Sequence, residues 1–292
     1  MRRVAAPVAE GPLARHWRGL LSDLEQALAA GAARTPLNPP GGGLWLAGWA
    51  LACLAVGLTL LLVGGYHTGF SALNAAGTAY PPWVLQWLTA LGGDAAPFAL
   101  GLLLARRYPR VFFALLLAAV AATAYSRGLK PLFDLARPPA VLPPDSFNLI
   151  GPALRRVSFP SGHSVAAGTF CGVLVYYARW TETRVLWVLL ALSVGLSRVA
   201  VGVHWPVDVA FGLAGGVLAA WLGVRLATRW SAAATRPGTH LALVTLCALG
   251  ALWLLLGPVA YPLARPLLQG LGGAALAYAI AAYVIVPLLR HR

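Results

Sequence analysis

Apolar residues form long, nearly uninterrupted runs along this chain, separated by short polar or proline-rich stretches. A run of roughly 20 such residues is long enough to cross the hydrocarbon core of a bilayer. Eight runs are predicted to be spans: 44–66, 92–106, 111–127, 163–179, 185–201, 206–227, 240–258 and 268–289. The pattern therefore predicts an all-α, polytopic membrane helix bundle.

The second run is the weakest candidate, because it is short and has Asp94 at its start. The stretch GGDAAP predicts a helix that begins with Asp94 as its N-cap and Pro97 in its first turn. The preceding stretch PPWVLQWLTAL then predicts a surface helix with its tryptophans at the level of the lipid headgroups.

Residues 1–43 form an arm before the first span. They contain no apolar core of signal-peptide type, so we expect no cleavage. Apolar residues recur there at helical spacing: Trp17, Leu20, Leu21, Leu24, Ala27 and Leu28. This stripe indicates an amphipathic helix on the membrane surface, with a weakly ordered tail as the alternative. LNPPGGG then ends the arm.

Composition supports the membrane assignment. Of the 292 residues, 59% are hydrophobic and only 10% are charged, which is too apolar for a soluble domain of this length. The net charge of +14 would suit nucleic acid, but the arginines mark the ends of apolar runs and form no clustered polar face. We therefore expect no nucleic-acid partner. The three cysteines stand singly inside apolar runs, which favours neither a disulfide framework nor a metal site.

The arginines also predict the orientation. Most fall on one side of the predicted membrane: Arg2, Arg3, Arg15, Arg18, Arg34, Arg106, Arg107, Arg110, Arg179, Arg184, Arg225, Arg229, Arg236, Arg290 and Arg292. By the positive-inside rule this side and the N terminus are cytoplasmic. The loop 128–162 and the turn between spans five and six then face the extracytoplasmic side.

Three polar stretches on that outer side carry the candidate chemistry: KPLFDLARP, PSGH and SRVAVGVHWPVD. Ionisable groups this close to a bilayer are costly and are usually functional. Lys130 is the single lysine in a chain with twenty-one arginines. A compact ammonium on a flexible stem suits one phosphate oxygen, whereas arginine suits a bidentate contact.

These stretches resemble the three signature motifs of the type 2 phosphatidic acid phosphatase (PAP2) superfamily, K-x6-RP, PSGH and SR-x5-H-x3-D, with all eleven fixed identities in order. The resemblance implies a six-helix PAP2-like catalytic core over about 44–227. Residues 228–292, with two additional transmembrane helices and a short tail, lie outside it.

Phosphoryl transfer requires positive charge and fixed hydrogen-bond donors around the phosphate. Lys130, Arg137 and Arg198 are expected to supply the charge. Ser161 and Gly162 open a predicted helix, whose free backbone N–H groups favour an anion. Ser197 is expected to donate a hydrogen bond to phosphate.

His204 and Asp208 are four residues apart, and Pro206 suits the first turn of a helix, so both side chains are predicted to share one helix face. A carboxylate that holds one ring nitrogen leaves the other nitrogen free to attack phosphorus. The resemblance implies that His204 forms a transient phosphohistidine. His163 would protonate the leaving oxygen and later activate water, as its ordinary pKa of about 6.5 allows. With three cations present, no metal or other cofactor is expected.

The leading hypothesis is an integral-membrane lipid phosphatase in a bacterial inner membrane, active at the extracytoplasmic face. Candidate substrates are undecaprenyl diphosphate, phosphatidylglycerophosphate, phosphatidate and the lipid A 1-phosphate. The alternative is a transferase that passes the phosphoryl group to a lipid or glycan acceptor.

Two further functions are less well supported. The anion site resembles that of the vanadate haloperoxidases, but those are soluble. A transporter would use the same charges for binding, but no internal repeat is visible. The small residues of GLGGAALA, 270–277, suit close helix packing in a homodimer, and a narrowed path for substrate is the alternative.

Overall fold

The computed structural model describes residues 11–290, and Arg2, Arg3, His291 and Arg292 lie outside that range. The described chain is helical throughout and contains no strand. Its α-helices are α1 (Pro12–Ala33), α2 (Gly42–Gly64), α3 (Phe70–Gly77), α4 (Pro82–Leu91), α5 (Ala96–Leu104), α6 (Pro109–Phe133), α7 (Pro138–Val141), α8 (Gly162–Tyr177), α9 (Thr181–Ala200), α10 (Pro206–Arg229), α11 (Pro237–Leu256), α12 (Arg265–Ile280) and α13 (Val286–Arg290).

Six of the described helical segments are long and apolar enough to cross a membrane, and a seventh is obtained if the bent pair α4–α5 is one span. The outer faces of these helices are apolar, as Leu62 with 82% and Leu256 with 73% exposure illustrate. These are the properties of a multi-pass membrane protein. The sequence predicted eight spans. The difference is α8, which has 16 residues and is too short to count by length.

The predicted second span, 92–106, contains only the nine-residue helix α5, which is too short to cross a membrane alone, and the helix predicted before it is α4. α4 and α5 meet at an angle of 66°, and the break lies at GGD, where glycines and a polar residue replace helix formers. Pro97 lies in the first turn of α5, as predicted. The predicted N-cap is wrong: the cap position is Ala95, and no side chain caps this helix end. Asp94 lies instead beside two cavities near the candidate site.

The centre of the bundle is α10, which contacts α2, α6, α8 and α9. Of the most apolar 18-residue stretch of α10, 78% is buried inside the protein, against 28% for the corresponding stretch of α2. Glycines make the contact between α10 and α8 very close: a Cβ at Gly216 would lie 2.3 Å from the Val165 carbonyl oxygen, and one at Gly212 would lie 2.8 Å from that of Ser161. This packing fixes the beginning of α8 against the beginning of α10.

The chain brings all three polar stretches to one end of the bundle. α6 and α9 end there, and α8 and α10 begin there. The long loop 134–161 returns over the same end, where Ser158 N donates to the Leu135 carbonyl oxygen at 2.8 Å. The packing of α2, α6, α8 and α9 around α10 therefore gathers the motif residues.

Two elements pack against this core. α11 and α12 contact each other and α5, so they form a C-terminal helix pair on one side of the bundle. Gly272 faces α11, since a Cβ there would lie 2.5 Å from the Ala251 carbonyl oxygen.

At the N terminus a helix does form: α1 buries Leu24 and Leu28 and contacts α6 and α11. Its membrane-surface location and the homodimer stay predictions.

We expect Gly216→Ala to destabilise the fold by about 1–3 kcal/mol, because the added methyl group would overlap the Val165 carbonyl. Thermal unfolding in detergent, followed by the protein's eleven tryptophans, measures the effect. Gly48→Ala is the matched control, since a Cβ there meets no atom within 4 Å. Equal midpoints for the two variants would contradict the close packing of α8 on α10.

Candidate active site

Asp208 lies in the first turn of α10 and is fully buried. Its Oδ2 accepts hydrogen bonds from the Trp205 backbone N–H at 2.9 Å and from the Ser158 hydroxyl, and it lies 3.1 Å from His204 Nδ1. Its Oδ1 accepts from the Tyr66 hydroxyl. Pro206 at the first helical position and Asp208 at the third make this helix start geometrically fixed.

His204 lies in the turn between α9 and α10 with only 1% of its surface exposed. Its Nε2 is 3.0 Å from Nη1 of Arg137. Because a guanidinium only donates, Nε2 must accept this hydrogen bond and carry a lone pair. The proton is then on Nδ1 and points at Asp208. The predicted pairing of His204 with Asp208 is present, and the tautomer leaves Nε2 nucleophilic.

The surroundings favour the neutral form of His204. Burial is the main cause, and the charges of Arg137, Arg198 and Lys130 add to it, so that the pKa of His204 lies well below its ordinary 6.5. Burial, followed by the charge of Asp208, raises the pKa of the Tyr66 phenol well above its ordinary value. Tyr66 therefore keeps its proton and remains a donor to Asp208.

Arg137 is held rigidly by backbone carbonyls. Its guanidinium donates to the carbonyl oxygens of Arg156 at 2.8 Å, Val157 at 3.1 Å and Val203 at 3.1 Å. The side chain is buried. It joins the later part of the loop 134–161, through Arg156 and Val157, to the turn before α10, through Val203. This fixes a cation beside His204.

Arg198, at the end of α9, is 1% exposed. Its Nη1 donates to Thr89 Oγ1 at 2.9 Å and to the Tyr261 hydroxyl at 2.8 Å. Its Nε is buried without a partner among the described residues. A buried, unpaired N–H of a cation is a natural donor to a bound anion.

The beginning of α8 lies beside these cations. Ser161 is the N-cap, with its Oγ accepting from the Ser164 backbone N–H, and its own N–H donates to the Asp208 carbonyl oxygen at 3.1 Å. A Cβ at Gly162 would lie 3.8 Å from Lys130 Nζ, so the lysine reaches this helix end. His163 follows and interacts electrostatically with Arg198, His204, Arg137 and Lys130. The backbone N–H groups of this first turn are available to an anion.

Ser197 differs from its expected use. Its hydroxyl donates to the Val194 carbonyl oxygen at 2.7 Å and lies 3.0 Å from Thr89 Oγ1. In this arrangement Ser197 orients Thr89, which in turn accepts from Arg198. Direct donation to phosphate by Ser197 stays a prediction.

Sequence reasoning missed four participants: Tyr66, Thr89, Ser158 and Tyr261. Ser158 lies two residues before the PSGH stretch, and its hydroxyl donates to Asp208. Tyr66 is the last residue of the predicted first span and lies in no motif, so no local pattern identified it. Thr89 and Tyr261 carry no local signal, because only tertiary packing brings them to Arg198.

We expect the side-chain 15N spectrum of the histidine-labelled protein to show His204 with an unprotonated Nε2 at pH values below 6.5, its ordinary pKa. Arg137→Ala should raise the pKa of His204, because it removes a neighbouring cation. Arg156→Ala is the control, since that guanidinium pairs with Asp134 at 2.6 Å on the exposed surface. A proton on Nε2 would contradict the assigned tautomer. Equal titration of His204 in the two variants would contradict the effect of Arg137 on its pKa.

Comparison with known proteins places the site in a family. The PAP2 superfamily model matches residues 110–236. Among curated proteins, a bacitracin transport permease protein BcrC of Bacillus licheniformis is 44% identical over 63 residues, which are 22% of this chain and 30% of that protein. A lipid A 1-phosphatase of Rhizobium johnstonii is 40% identical over 67 residues, 23% of this chain and 25% of that protein.

An undecaprenyl-diphosphatase of Sulfolobus acidocaldarius is 38% identical over 77 residues, 25% of this chain and 34% of that protein. The chain thus matches only about a quarter to a third of the length of these relatives. A crystal structure of Aquifex aeolicus LpxE is 29% identical, covers 53% of this chain and 92% of its own, and has a TM-score of 0.49. The three polar stretches, residues 130–208, lie inside the range 110–236 that matches the PAP2 superfamily model.

Proposed function

We propose that the protein is an integral-membrane phosphatase that releases phosphate from a lipid phosphate or diphosphate through a phosphohistidine on His204. The observation that carries the proposal is the buried His204, whose Nδ1 faces Asp208 at 3.1 Å and whose Nε2 accepts from Arg137 at 3.0 Å. The catalytic core is residues 44–227. The site faces the extracytoplasmic side of a bacterial inner membrane, with the N terminus cytoplasmic.

In the first step Nε2 of His204 forms a bond to phosphorus while the bond from phosphorus to the leaving oxygen breaks. In the substrate complex the negative phosphate offsets the neighbouring cations, so that His163 carries a proton there. It gives this proton to that oxygen, and the leaving group departs as a neutral alcohol or as a protonated phosphate. Asp208 stabilises the positive charge that develops on the imidazole of His204. The N–H of Arg137 that meets Nε2 in the free site is then offered to a phosphoryl oxygen, with the guanidinium still fixed by its backbone carbonyls.

In the second step a water molecule attacks the phosphohistidine. His163, now neutral, accepts a proton from this water, and the bond between phosphorus and Nε2 breaks. Inorganic phosphate leaves, and both histidines return to their starting forms. Each step is an in-line displacement, so His204 and His163 must lie on opposite sides of phosphorus.

The charge that phosphoryl transfer develops is balanced by Lys130, Arg137 and Arg198, together with the first N–H groups of α8. Rigid placement supports this role, because Arg137 is fixed by three backbone carbonyls and Arg198 by two hydroxyl groups. Donors that are already oriented need little reorganisation when the phosphate arrives.

The names of the matched relatives support a lipid substrate, since they include a lipid A 1-phosphatase and undecaprenyl-diphosphatases. Undecaprenyl diphosphate is our first choice. Phosphatidylglycerophosphate, phosphatidate and the lipid A 1-phosphate are the next candidates. They stay candidates because the motif residues would contact only the phosphate group, which all four lipids carry.

A phosphotransferase is the second candidate. A separate cavity of about 580 Å³ between α6 and α8 reaches Lys130 and Gly162, and an acceptor alcohol there would compete with water for the phosphohistidine. Added acceptor lipids that suppress phosphate release and form a new phospholipid would favour this candidate.

We expect the detergent-purified protein to release phosphate from at least one of these lipids in the presence of EDTA, and His204→Ala to lower kcat by about 10³-fold or more, as for the loss of a nucleophile. Phosphate release is measured across the lipid panel. Arg179→Ala, an exposed change at the far end of α8, is the control for handling and folding. Release that survives in His204→Ala, or that EDTA abolishes in the wild type, would contradict the proposed mechanism.

A further inference from the structure

The C-terminal helix pair reaches the candidate active site although it lies outside the residues that the family model matches. Tyr261, in the segment between α11 and α12, is 6% exposed, and its hydroxyl accepts from Arg198 Nη1 at 2.8 Å. A phenol that accepts one hydrogen bond still has its own proton to donate. Together with the unpaired Nε of Arg198, this leaves two hydrogen-bond donors on a contacting pair of side chains without a partner among the described residues.

The segment that carries Tyr261 is fixed to α4. Trp87 Nε1 donates to the Leu263 carbonyl oxygen at 2.9 Å, and Leu263 N donates to Gln86 Oε1 at 2.9 Å. The ring of Tyr261 packs on Gly151 of the outer loop, where a Cβ would come within 2.5 Å of it. Tyr261 is therefore held in place before any ligand binds.

A cavity of about 630 Å³ extends from this point between α5 and α11. His163, Arg198 and Tyr261 line its polar end. Asp94 lies near this end as well, and the remaining lining residues are mostly apolar, among them Phe98 of α5 and Leu246 and Trp253 of α11. Its size is in the range of ligand pockets, and a polar end joined to an apolar wall matches a phosphate attached to a hydrocarbon chain.

A substrate chain has two routes away from the phosphate site, because the cavity between α6 and α8 also ends there. That second cavity is lined by Lys130 and Gly162, whereas His163 lines only the first. The lipid is the leaving group, and its oxygen must lie beside the acid that protonates it. This requirement selects the cavity lined by His163.

We propose that the C-terminal helix pair forms the binding site for the hydrocarbon chain of the leaving lipid, and that Tyr261 adds a hydrogen-bond donor to the phosphate site. The proposal rests on the proposed function and specifies its substrate-binding site. The cavity between α6 and α8 then takes no part in binding this chain.

The chain site is tested by filling each cavity separately. Leu246→Trp narrows the cavity beside α11, Ala119→Trp narrows the cavity beside α6, and Leu252→Trp places the same indole on a face of α11 that lines neither. We expect Leu246→Trp to lower kcat/KM for a long-chain lipid phosphate about tenfold or more. The kcat/KM for p-nitrophenyl phosphate, which has no hydrocarbon chain, should stay within about twofold of the wild-type value. The other two variants should have the wild-type kcat/KM for both substrates.

A loss of long-chain activity in Ala119→Trp with normal Leu246→Trp would overturn the proposal. A readout independent of turnover separates it from the proposed function: a lipid phosphate with a diazirine at the end of its chain is crosslinked to the wild-type protein. Crosslinks within residues 246–268 support the chain site, and crosslinks within 115–123 or 165–170 overturn it, whether or not phosphate is released. An inactive wild type would instead contradict the proposed function.

The role of Tyr261 is tested by Tyr261→Phe, which keeps the ring and removes the hydroxyl. We expect kcat/KM to fall about tenfold or more for both the long-chain lipid and p-nitrophenyl phosphate, and the inhibition constant of inorganic phosphate to rise by a similar factor, because a hydrogen bond to a charged group is lost. Tyr278→Phe in α12, which lines neither cavity, is the matched control. An unchanged phosphate inhibition constant in Tyr261→Phe would overturn this part.

Discussion

The buried carboxylate of Asp208 is the group on which the rest of the site depends. Burial of a charge is costly unless hydrogen bonds replace the lost water. Here the donors come from three separate parts of the chain: Tyr66 after α2, Ser158 in the long loop 134–161, and His204 with the Trp205 backbone before α10. Because the carboxylate needs all three parts in place, the same interactions that stabilise it also assemble the end of the bundle and orient the nucleophilic imidazole.

The cations around His204 are held in a different way. Arg137 binds three backbone carbonyls, and Arg198 binds Thr89 and Tyr261, so neither has a carboxylate partner in these contacts. Neutral dipoles hold the side chains without cancelling their charge. The site therefore keeps its positive field for an anion, and that field also keeps His204 neutral, as attack on phosphorus requires.

The sequence predicted the parts of this arrangement that have a local cause. Apolar runs identified most of the helices, and the spacing of His204 and Asp208 predicted their pairing. The predicted shared helix face is wrong, because α10 begins at Pro206 and His204 lies in the turn before it. Local pattern was misleading at Asp94, where the helix start is capped by no side chain. Tyr66 and Tyr261 could not be predicted, because their roles arise from contacts 142 and 63 residues away along the chain. Such contacts are set by how helices pack, and no spacing in one segment encodes them.

The central claim is that a protein nitrogen, and not water, attacks phosphorus first. The stereochemical course of phosphoryl transfer tests it directly, with a lipid phosphorothioate made chiral by oxygen isotopes and hydrolysed in isotopically labelled water. Two in-line displacements, one by His204 and one by water, predict overall retention of configuration at phosphorus. Inversion would mean a single displacement by water, and would contradict the assignment of His204 as the nucleophile.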